Sequence, residues 1–457
     1  MTSLRRSTIW TNWHSIKKGN VSVAFFAIYV EELFMILNNE TKTLAEKEVR
    51  AVLAAVCMGD SFASELSLDE LESLLNTAGG VAVARVVQNL ESPNTKTYIG
   101  TGKAKEIAEF VANDGEIDLV VFDNELTPSQ LNNLEELIGV RVIDRTMLIL
   151  DIFALHAVTG EGKMQVEIAC LRYTAPRLTG KGKELSRLGG GIGTRGPGES
   201  KLESDRRHIK RRISALEEEL REMERTRITK RAARDKKSIK SAVIVGYTNS
   251  GKSTLLNYLT DAGILAENKL FATLDPTTRL LTTEGGEELL LTDTVGFIDG
   301  LPHHLIKAFK STLDELKYAD MIISVTDASE EDSRRRRKMQ VTEKLIEELC
   351  GEHKPIVRVF NKIDKVEDRD FIPPDAIEIS ALSGMGIDKL VGELENLIRG
   401  GRKVVSFKFP PSAAGLVSSL YAFGEVLETE YNDDGSISVK ACCEEKEIGR
   451  LTQYIID

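Results

Sequence analysis

Four short stretches of the chain carry polar side chains and glycines at spacings suited to a nucleoside triphosphate. In GYTNSGKST, Gly246 to Thr254, the spacing is G-x-x-x-x-G-K-S. Its glycines let backbone N–H groups close around phosphates. Tyr247, Thr248, Asn249, Ser250, Gly251 and Thr254 complete that cradle. Lys252 is expected to neutralise β/γ-phosphate oxygens, and the Ser253 hydroxyl to ligate Mg2+. DTVG follows, with Asp293 expected on Mg2+ through a water, Thr294 and Val295 beside the phosphates, and the Gly296 N–H free to approach the γ-phosphate. NKID (Asn361, Lys362, Ile363, Asp364) is expected to read the base. An Asp364 carboxylate can accept from both N1–H and the N2 amine of guanine, a donor pair that adenine lacks. Ser380-Ala381-Leu382 is placed to offer backbone N–H groups to the guanine oxygen. The chemistry these residues suit is binding and hydrolysis of GTP.

Between the first two motifs lies LFATLDPTTR, Leu270 to Arg279, the position of a switch loop. Phe271, Ala272, Thr273, Leu274 and Asp275 are expected to line the nucleotide. Thr273 is the candidate Mg2+ ligand, with Thr277 and Thr278 as competitors. After Gly296, a glutamine that orients the attacking water would be usual, and this chain has Phe297, which has no hydrogen-bonding side chain.

Those motifs need strands that end where they begin. SAVIV, EELLLTD and VRVFN are apolar runs of strand length immediately before the three motifs, and TLLNYL is an apolar helix start after the first. That order is a doubly wound α/β pattern over 241–400. Upstream, Val81–Val87, Leu119–Phe122 and Val140–Ile143 read as strands, with Lys103–Val111 and Pro128–Leu137 as helices. This is a second, smaller parallel α/β unit, assigned to 35–160. Downstream, VVSF, a helix-like segment and a hairpin around YNDDGSISV make a small α+β unit over 401–457.

The segment 161–240 is of another kind. LGGGIGTRGPGESKLES, Leu188 to Ser204, reads as a glycine-rich loop. Beyond it Ile209, Ile213, Leu216, Leu220 and Met223 step by alternating fours and threes, a heptad seam. Two helices packed as an antiparallel hairpin, with the loop at its tip, account for both. Five seam positions are too few for a stable intermolecular coiled coil, so a scaffolding role ranks last.

Charge is unevenly distributed. The chain of 457 residues has net charge −11, yet Arg172 to Lys240 holds 21 Lys/Arg against 10 Asp/Glu. That local excess of +11 leaves −22 on the rest, and a basic segment in an acidic chain is an electrostatic footprint for RNA, or a solvated helical face. Five cysteines with no C-x-x-C spacing suit a reducing cytoplasm better than a disulfide framework. No apolar run reaches the length of a membrane span, so at most peripheral membrane association is expected. Residues 1–34 are basic and Trp-containing, without a clean signal cleavage site; they are read as a non-native or translated upstream extension, with Met35 as the natural start.

Taken together, IGTGKAKEI (Ile99–Ile107), DRTMLILDIFALHA (Asp144–Ala157), GGGIGTRGPGE (Gly189–Glu199), GYTNSGKST, FATLDPTTR and DTVGFIDGLPHHLIKAFKSTLDE (Asp293–Glu315) resemble the HflX family of ribosome-associated, translation-factor-like GTPases. The likeness runs from about Leu68 to Ile398. It implies an N-terminal domain made of the α/β unit and the hairpin, then a G domain and a short C-terminal domain. It also implies a monomer that binds the large ribosomal subunit and splits stalled or idle ribosomes. The tip residues Gly191, Gly193, Thr194, Arg195, Gly196, Pro197 and Gly198 would then face ribosomal RNA, unless the loop is merely a connector. The resemblance further implies ATP binding at Gly100, Gly102 and Lys103, against the plainer account of a glycine turn that starts a helix. An assembly or RNA-binding factor that uses GTP only as an affinity switch is the alternative.

Phosphoryl transfer depends on positioning and charge, so Phe297 redirects the mechanism without excluding hydrolysis. Lys252, Gly296 and Asn249 are the candidate catalytic positions. Asn249 matches a position that helps hold K+ in some glutamine-lacking GTPases, and such an ion would supply positive charge beside the phosphates. Otherwise the ribosome completes the site, with slow hydrolysis by the protein alone.

Overall fold

Apolar strands ending in polar loops build two parallel-type sheets, and an antiparallel one follows them. The computed structural model describes residues 48–180, 197–235, 239–260, 270–271, 274–299, 315–350, 354–369, 371–400, 402–413, 415–423, 425–432 and 434–456. The extension 1–34, tip residues Gly191, Gly193, Thr194, Arg195 and Gly196, and switch residues Ala272 and Thr273 lie outside them.

The first unit comprises β1 (Val49–Cys57), α1 (Ser61–Thr77), β2 (Gly80–Asn89), α2 (Thr101–Asp114), β3 (Leu119–Phe122), α3 (Pro128–Ile138), β4 (Arg141–Asp144) and α4 (Arg145–His156). Its strands are all parallel, in the order β2-β1-β3-β4. The sequence reading lacks β1 and α1, yet β1 is central. VRAVLAAVC is apolar from Ala51 onward and buried on both faces there, so it shows no alternation. The α3 helix carries a capping box, Thr127 with Gln130, and Gly139 ends it in the left-handed region.

The hairpin consists of α5 (Gly160–Thr174) and α6 (Pro197–Asp235). Ile168 and Leu171 pack against Ile209 and Leu216, with Ile213 and Leu220 alongside. Arg172–Glu217 and Arg227–Glu161 ion pairs run in opposite directions along the two helices, as an antiparallel pair requires. Two corrections arise. Met223 is exposed and stands outside the seam. The region Pro197 to Ser204, read as loop, already belongs to α6. Proline suits a first helical turn because its missing N–H has no intrahelical partner there.

Asp144 joins this hairpin to the sheet. It is fully buried and caps α4 by accepting from the Met147 N–H at 2.9 Å. It also accepts from the Leu126 N–H at 3.0 Å, the Tyr173 hydroxyl at 2.6 Å and the Arg177 guanidinium at 3.4 Å. That guanidinium lies over the Tyr173 ring. Burial and the Asp144 carboxylate together hold the Tyr173 phenol well above its usual pKa, so it stays a donor.

The second sheet contains β5 (Lys240–Gly246), β6 (Thr277–Thr282), β7 (Glu288–Asp293), β8 (Met321–Asp327), β9 (Ile356–Asn361) and β10 (Ile377–Glu378), in the order β10-β9-β8-β5-β7-β6. Only β6 is antiparallel to its neighbour. Helices α7 (Lys252–Thr260), α8 (Asp332–Cys350) and α9 (Ile387–Ile398) accompany it. Its five parallel strands point their carboxyl ends the same way, which fixes where a ligand crevice forms. The third sheet, order β12-β13-β11-β14, is made from β11 (Arg402–Phe409), β12 (Glu425–Tyr431), β13 (Ile437–Glu444) and β14 (Ile455–Ile456). The helices α10 (Gly415–Phe423) and α11 (Glu445–Arg450) complete that unit. Among the described residues no helix is long and apolar enough to cross a membrane.

Replacing Asp144 with Ala removes one acceptor from four donors and leaves the half-buried Arg177 guanidinium short of its anion. A loss of about 3 kcal/mol is expected, read as a lower denaturant midpoint. An unchanged midpoint would show that the sheet and hairpin are joined by packing alone.

Candidate nucleotide site

The turn after β5 can exist only with glycine at two positions. Gly246 has φ 154°, and a Cβ there would sit 2.3 Å from the Val325 carbonyl oxygen. Gly251 has φ 93°, and a Cβ would meet the Asn361 amide at 2.2 Å. Asn249 lies between them in the left-handed region at φ 60°, which Asn tolerates better than most residues. The loop thus curls tightly and opens directly into α7, whose first N–H groups have no intrahelical partner.

The other motifs close onto that curl. The Asn361 side chain donates to the Ser250 carbonyl at 2.9 Å and accepts from the Ala381 N–H at 2.9 Å. Asn361 therefore braces the phosphate loop against the Ser380-Ala381-Leu382 turn, a role different from reading a base. Lys362 reaches the Asn249 carbonyl at 2.8 Å and the Asp327 carboxylate at 2.6 Å. Asp364 and Leu382 remain exposed beside them. Ile363 is buried against Phe360, and Thr254 is half-buried in α7.

Lys252 and Ser253 face the end of β7. Ser253 donates to Asp293 at 2.6 Å, and Asp293 has no solvent exposure. A hydroxyl and a carboxylate at this separation suit a small, oxygen-seeking Mg2+ ion. Lys252 donates to the Tyr247 carbonyl at 2.9 Å. Burial brings its ammonium down to about 8, with the Asp293 charge opposing and Lys362 adding to the fall. A Cβ on Gly296 would lie 2.8 Å from Thr248 and 2.9 Å from the Lys252 ammonium, so only glycine lets this backbone approach the loop. Thr294 ties the same strand end to the Ile244 carbonyl at 2.9 Å, and Val295 packs in the neighbouring core. The hydroxyls of Thr248 and Ser250 are buried and have no partner among the described residues, leaving two donors in a polar pocket behind the loop.

Phe297 turns away from all of this. Its ring is buried with Val243, Val245, Leu316, Ile322 and Ile346. Its backbone exchanges hydrogen bonds with the phosphate loop, Phe297 N–H to Gly246 at 3.0 Å and Thr248 N–H to Phe297 at 2.8 Å. The residue positions the strand end and contributes no group to the water.

Three switch-loop residues expected at the nucleotide are engaged elsewhere. Phe271 stacks edge-on against Phe153 of α4, centroids 4.8 Å apart, and Leu274 is buried in the same core. The Asp275 carboxylate is bonded to residues 158 and 159. Apolar rings and a carboxylate find better partners on the first unit than beside phosphates. Thr277 and Thr278, the competing metal ligands, lie in β6, where the Thr278 hydroxyl pairs with that of Thr292.

Several residues that join the site to the first unit escaped sequence reasoning. The Tyr247 hydroxyl donates to Glu70 of α1 at 2.5 Å and accepts from the Asp299 N–H at 2.6 Å. Arg145 pairs with Glu70 and, at 2.7 Å, with Asp123, and donates to the Asp299 carbonyl at 3.2 Å. From α8, Arg337 pairs with Asp299 and Arg334 with Asp69. Buried among these anions, the Tyr247 phenol is driven far above its usual pKa and remains a donor. Asp327 ends a strand beside the motifs, a positional signal that could have found it. Glu70 and Arg145 are 75 residues apart and offer no such spacing.

The glycine turn at Gly100 has a role inside the protein. Its N–H donates to the Gln88 side chain at 2.7 Å, and Lys103 pairs with Glu106 at 2.6 Å. A turn that starts α2 accounts for both.

Comparisons with known proteins match this arrangement along nearly the whole described chain. Residues 65–154 match a family described as GTP-binding GTPase N-terminal, and 156–234 its Middle Region. Residues 241–362 match a family described as 50S ribosome-binding GTPase, and 364–454 an HflX C-terminal domain. GTPase HflX of Lacrimispora saccharolytica is 51% identical over 398 residues, covering 86% of this chain and 93% of that one. GTPase HflX of Escherichia coli is 41% identical over 382 residues, covering 82% and 88%. Among solved structures, a GTP-binding protein from Sulfolobus solfataricus in complex with GDP is 27% identical, with TM-score 0.41, covering 77% of this chain and 98% of that one.

Phe297→Gln should not raise the rate of GTP hydrolysis, since its side chain points into the core. It should lower stability by about 2 to 4 kcal/mol through lost apolar packing and a buried amide. A single-turnover rate raised tenfold or more, with stability intact, would contradict this placement.

Proposed function

The chain belongs to the HflX family of GTPases, and from that premise we propose that it hydrolyses GTP to drive a cycle of large-subunit binding and ribosome splitting. The observation that carries the reading is the convergence of Gly246–Ser253, Asp293–Gly296 and Asn361–Leu382 on one crevice, joined to a basic two-helix arm. GTP would lie along the loop with its phosphates at the α7 N-terminus. Lys252 holds the β and γ oxygens, and the Gly296 N–H reaches the γ-phosphate. Ser253 and Asp293 would hold Mg2+, which supplies charge neutralisation across the phosphates. Asp364 accepts from the guanine edge, with Ala381 held in place by Asn361.

In this reading the attacking water is oriented by something other than residue 297. Asn249, exposed at the rim of the loop, would help hold K+ there, and the ribosome is the second source of the missing group. The arm formed by α5 and α6 would carry the Gly191–Gly198 segment to ribosomal RNA, with Arg195 against phosphates. Hydrolysis then resets the protein after splitting. If GTP served only as an affinity switch, a non-hydrolysable analogue would strengthen ribosome binding without separating the subunits.

Three measurements test this. Steady-state GTPase rates in Na+ and K+, with and without ribosomes, should be slow for the protein alone and rise at least tenfold with the large subunit. Fast hydrolysis by the isolated protein in Na+ would defeat both proposed substitutes for glutamine. Asp364→Ala should cost at least a hundredfold in GTP affinity by removing both acceptors, measured by calorimetric titration; Mg2+ removal by chelation should weaken GTP more than GDP.

A further inference from the structure

Asp275, two residues beyond the candidate metal ligand Thr273, is held by the root of the two-helix arm. Its carboxylate accepts from the Val158 N–H at 2.9 Å, the Thr159 N–H at 2.8 Å and the Thr159 hydroxyl at 2.5 Å. Thr159 is itself the N-cap of α5, and its hydroxyl accepts from the Gly162 N–H at 2.9 Å. The carboxylate therefore sits at the positive end of α5, on the groups that fix where the arm leaves the first unit. Gly162 makes room for it: a Cβ there would lie 2.3 Å from the Asp275 oxygen. Backbone, cap and glycine are all fitted to this one side chain.

The neighbouring residues share the attachment. Phe271 packs on Phe153 of α4, the helix that runs into Thr159, and the Leu270 N–H reaches the Thr77 hydroxyl of α1 at 3.3 Å. The switch segment therefore touches the first unit by an apolar contact and a charged one. The charged contact lies at the arm.

We propose that Asp275 is the positioning residue through which the GTP site and the arm read each other's state. In the GDP state its carboxylate locks the α5 start. With GTP bound, the carboxylate withdraws from Val158 and Thr159 and the arm root loosens. Coupling of this kind is reciprocal, so engagement of the arm by its target favours the GTP form by the same factor. This rests on the GTPase reading for the two states, and on the ribosome reading only for the identity of the target.

Hydrogen exchange on the full chain, in GDP and in a non-hydrolysable GTP analogue, tests the contact directly. The peptide covering residues 157–164 should exchange at least fivefold faster with the analogue. Equal exchange in both nucleotides overturns the proposal. Gly162→Ala, which crowds the Asp275 carboxylate most closely and leaves every residue of the switch segment unchanged, should speed exchange of this peptide in GDP to within twofold of the analogue value. Retained protection in that variant also overturns it. In co-sedimentation with large subunits, Gly162→Ala should reduce the GTP-analogue to GDP affinity ratio at least fivefold. An unchanged ratio would overturn the coupling to the arm. If the unaltered protein sediments with ribosomes in neither nucleotide, the ribosome reading fails and the exchange contrast still decides the role of Asp275.

Discussion

Burial of the Arg145 guanidinium between Glu70, Asp123 and the Asp299 carbonyl is the constraint on which the arrangement of the two α/β units depends. A guanidinium out of water is costly unless anions and acceptors meet it, here at both terminal nitrogens, and removing one partner strands the rest. Two of those acceptors belong to the first sheet unit and one to the segment after DTVG. The cation can be satisfied only when both units are in register. Tyr247 extends the same network into the phosphate loop through Glu70, so the loop that would cradle GTP shares a hydrogen-bonded cluster with a helix of another unit.

Apolar packing works in the same direction. The core of the first unit continues without a break through Phe271, Leu274, Tyr247, Val295 and Ile298, all contributed by the segments around the nucleotide crevice. Interfaces inside proteins are often polar and permissive of motion. Here the seam is part of a core, and it includes the two segments expected to respond to a γ-phosphate. The segments beside the nucleotide crevice and the first unit therefore share one continuous apolar core.

Much of the crevice was legible because its chemistry is local. A glycine loop between an apolar strand and a helix requires particular residues at fixed offsets, and Gly246, Gly251, Ser253, Asp293 and Asn361 meet as those offsets demand. Strands β2, β3 and β4 and helices α2 and α3 were legible as short apolar runs alternating with amphipathic segments. The continuous apolar β1 hid itself by lacking a period. The switch-loop side chains misled, because Phe271, Leu274 and Asp275 follow a motif in sequence and pack across the seam in space. Long-range ion pairs such as Arg145 with Glu70 leave no spacing to read. In the run RRRRK at the start of α8, Arg334, Arg335, Arg337 and Lys338 are each engaged by a carboxylate of the same chain.

That arginine run carries an implication for how such chains diversify. Arg334 depends on Asp69, and Arg337 on an aspartate that also borders the Arg145 cluster. A first unit with another residue at position 69 would leave Arg334 without that anion, and one without Arg145 would leave the Asp299 carbonyl short of a donor. The charges at the seam therefore work as a matched set across the two units. Modularity, so visible in the order of the sheets, stops at the charges that hold them together.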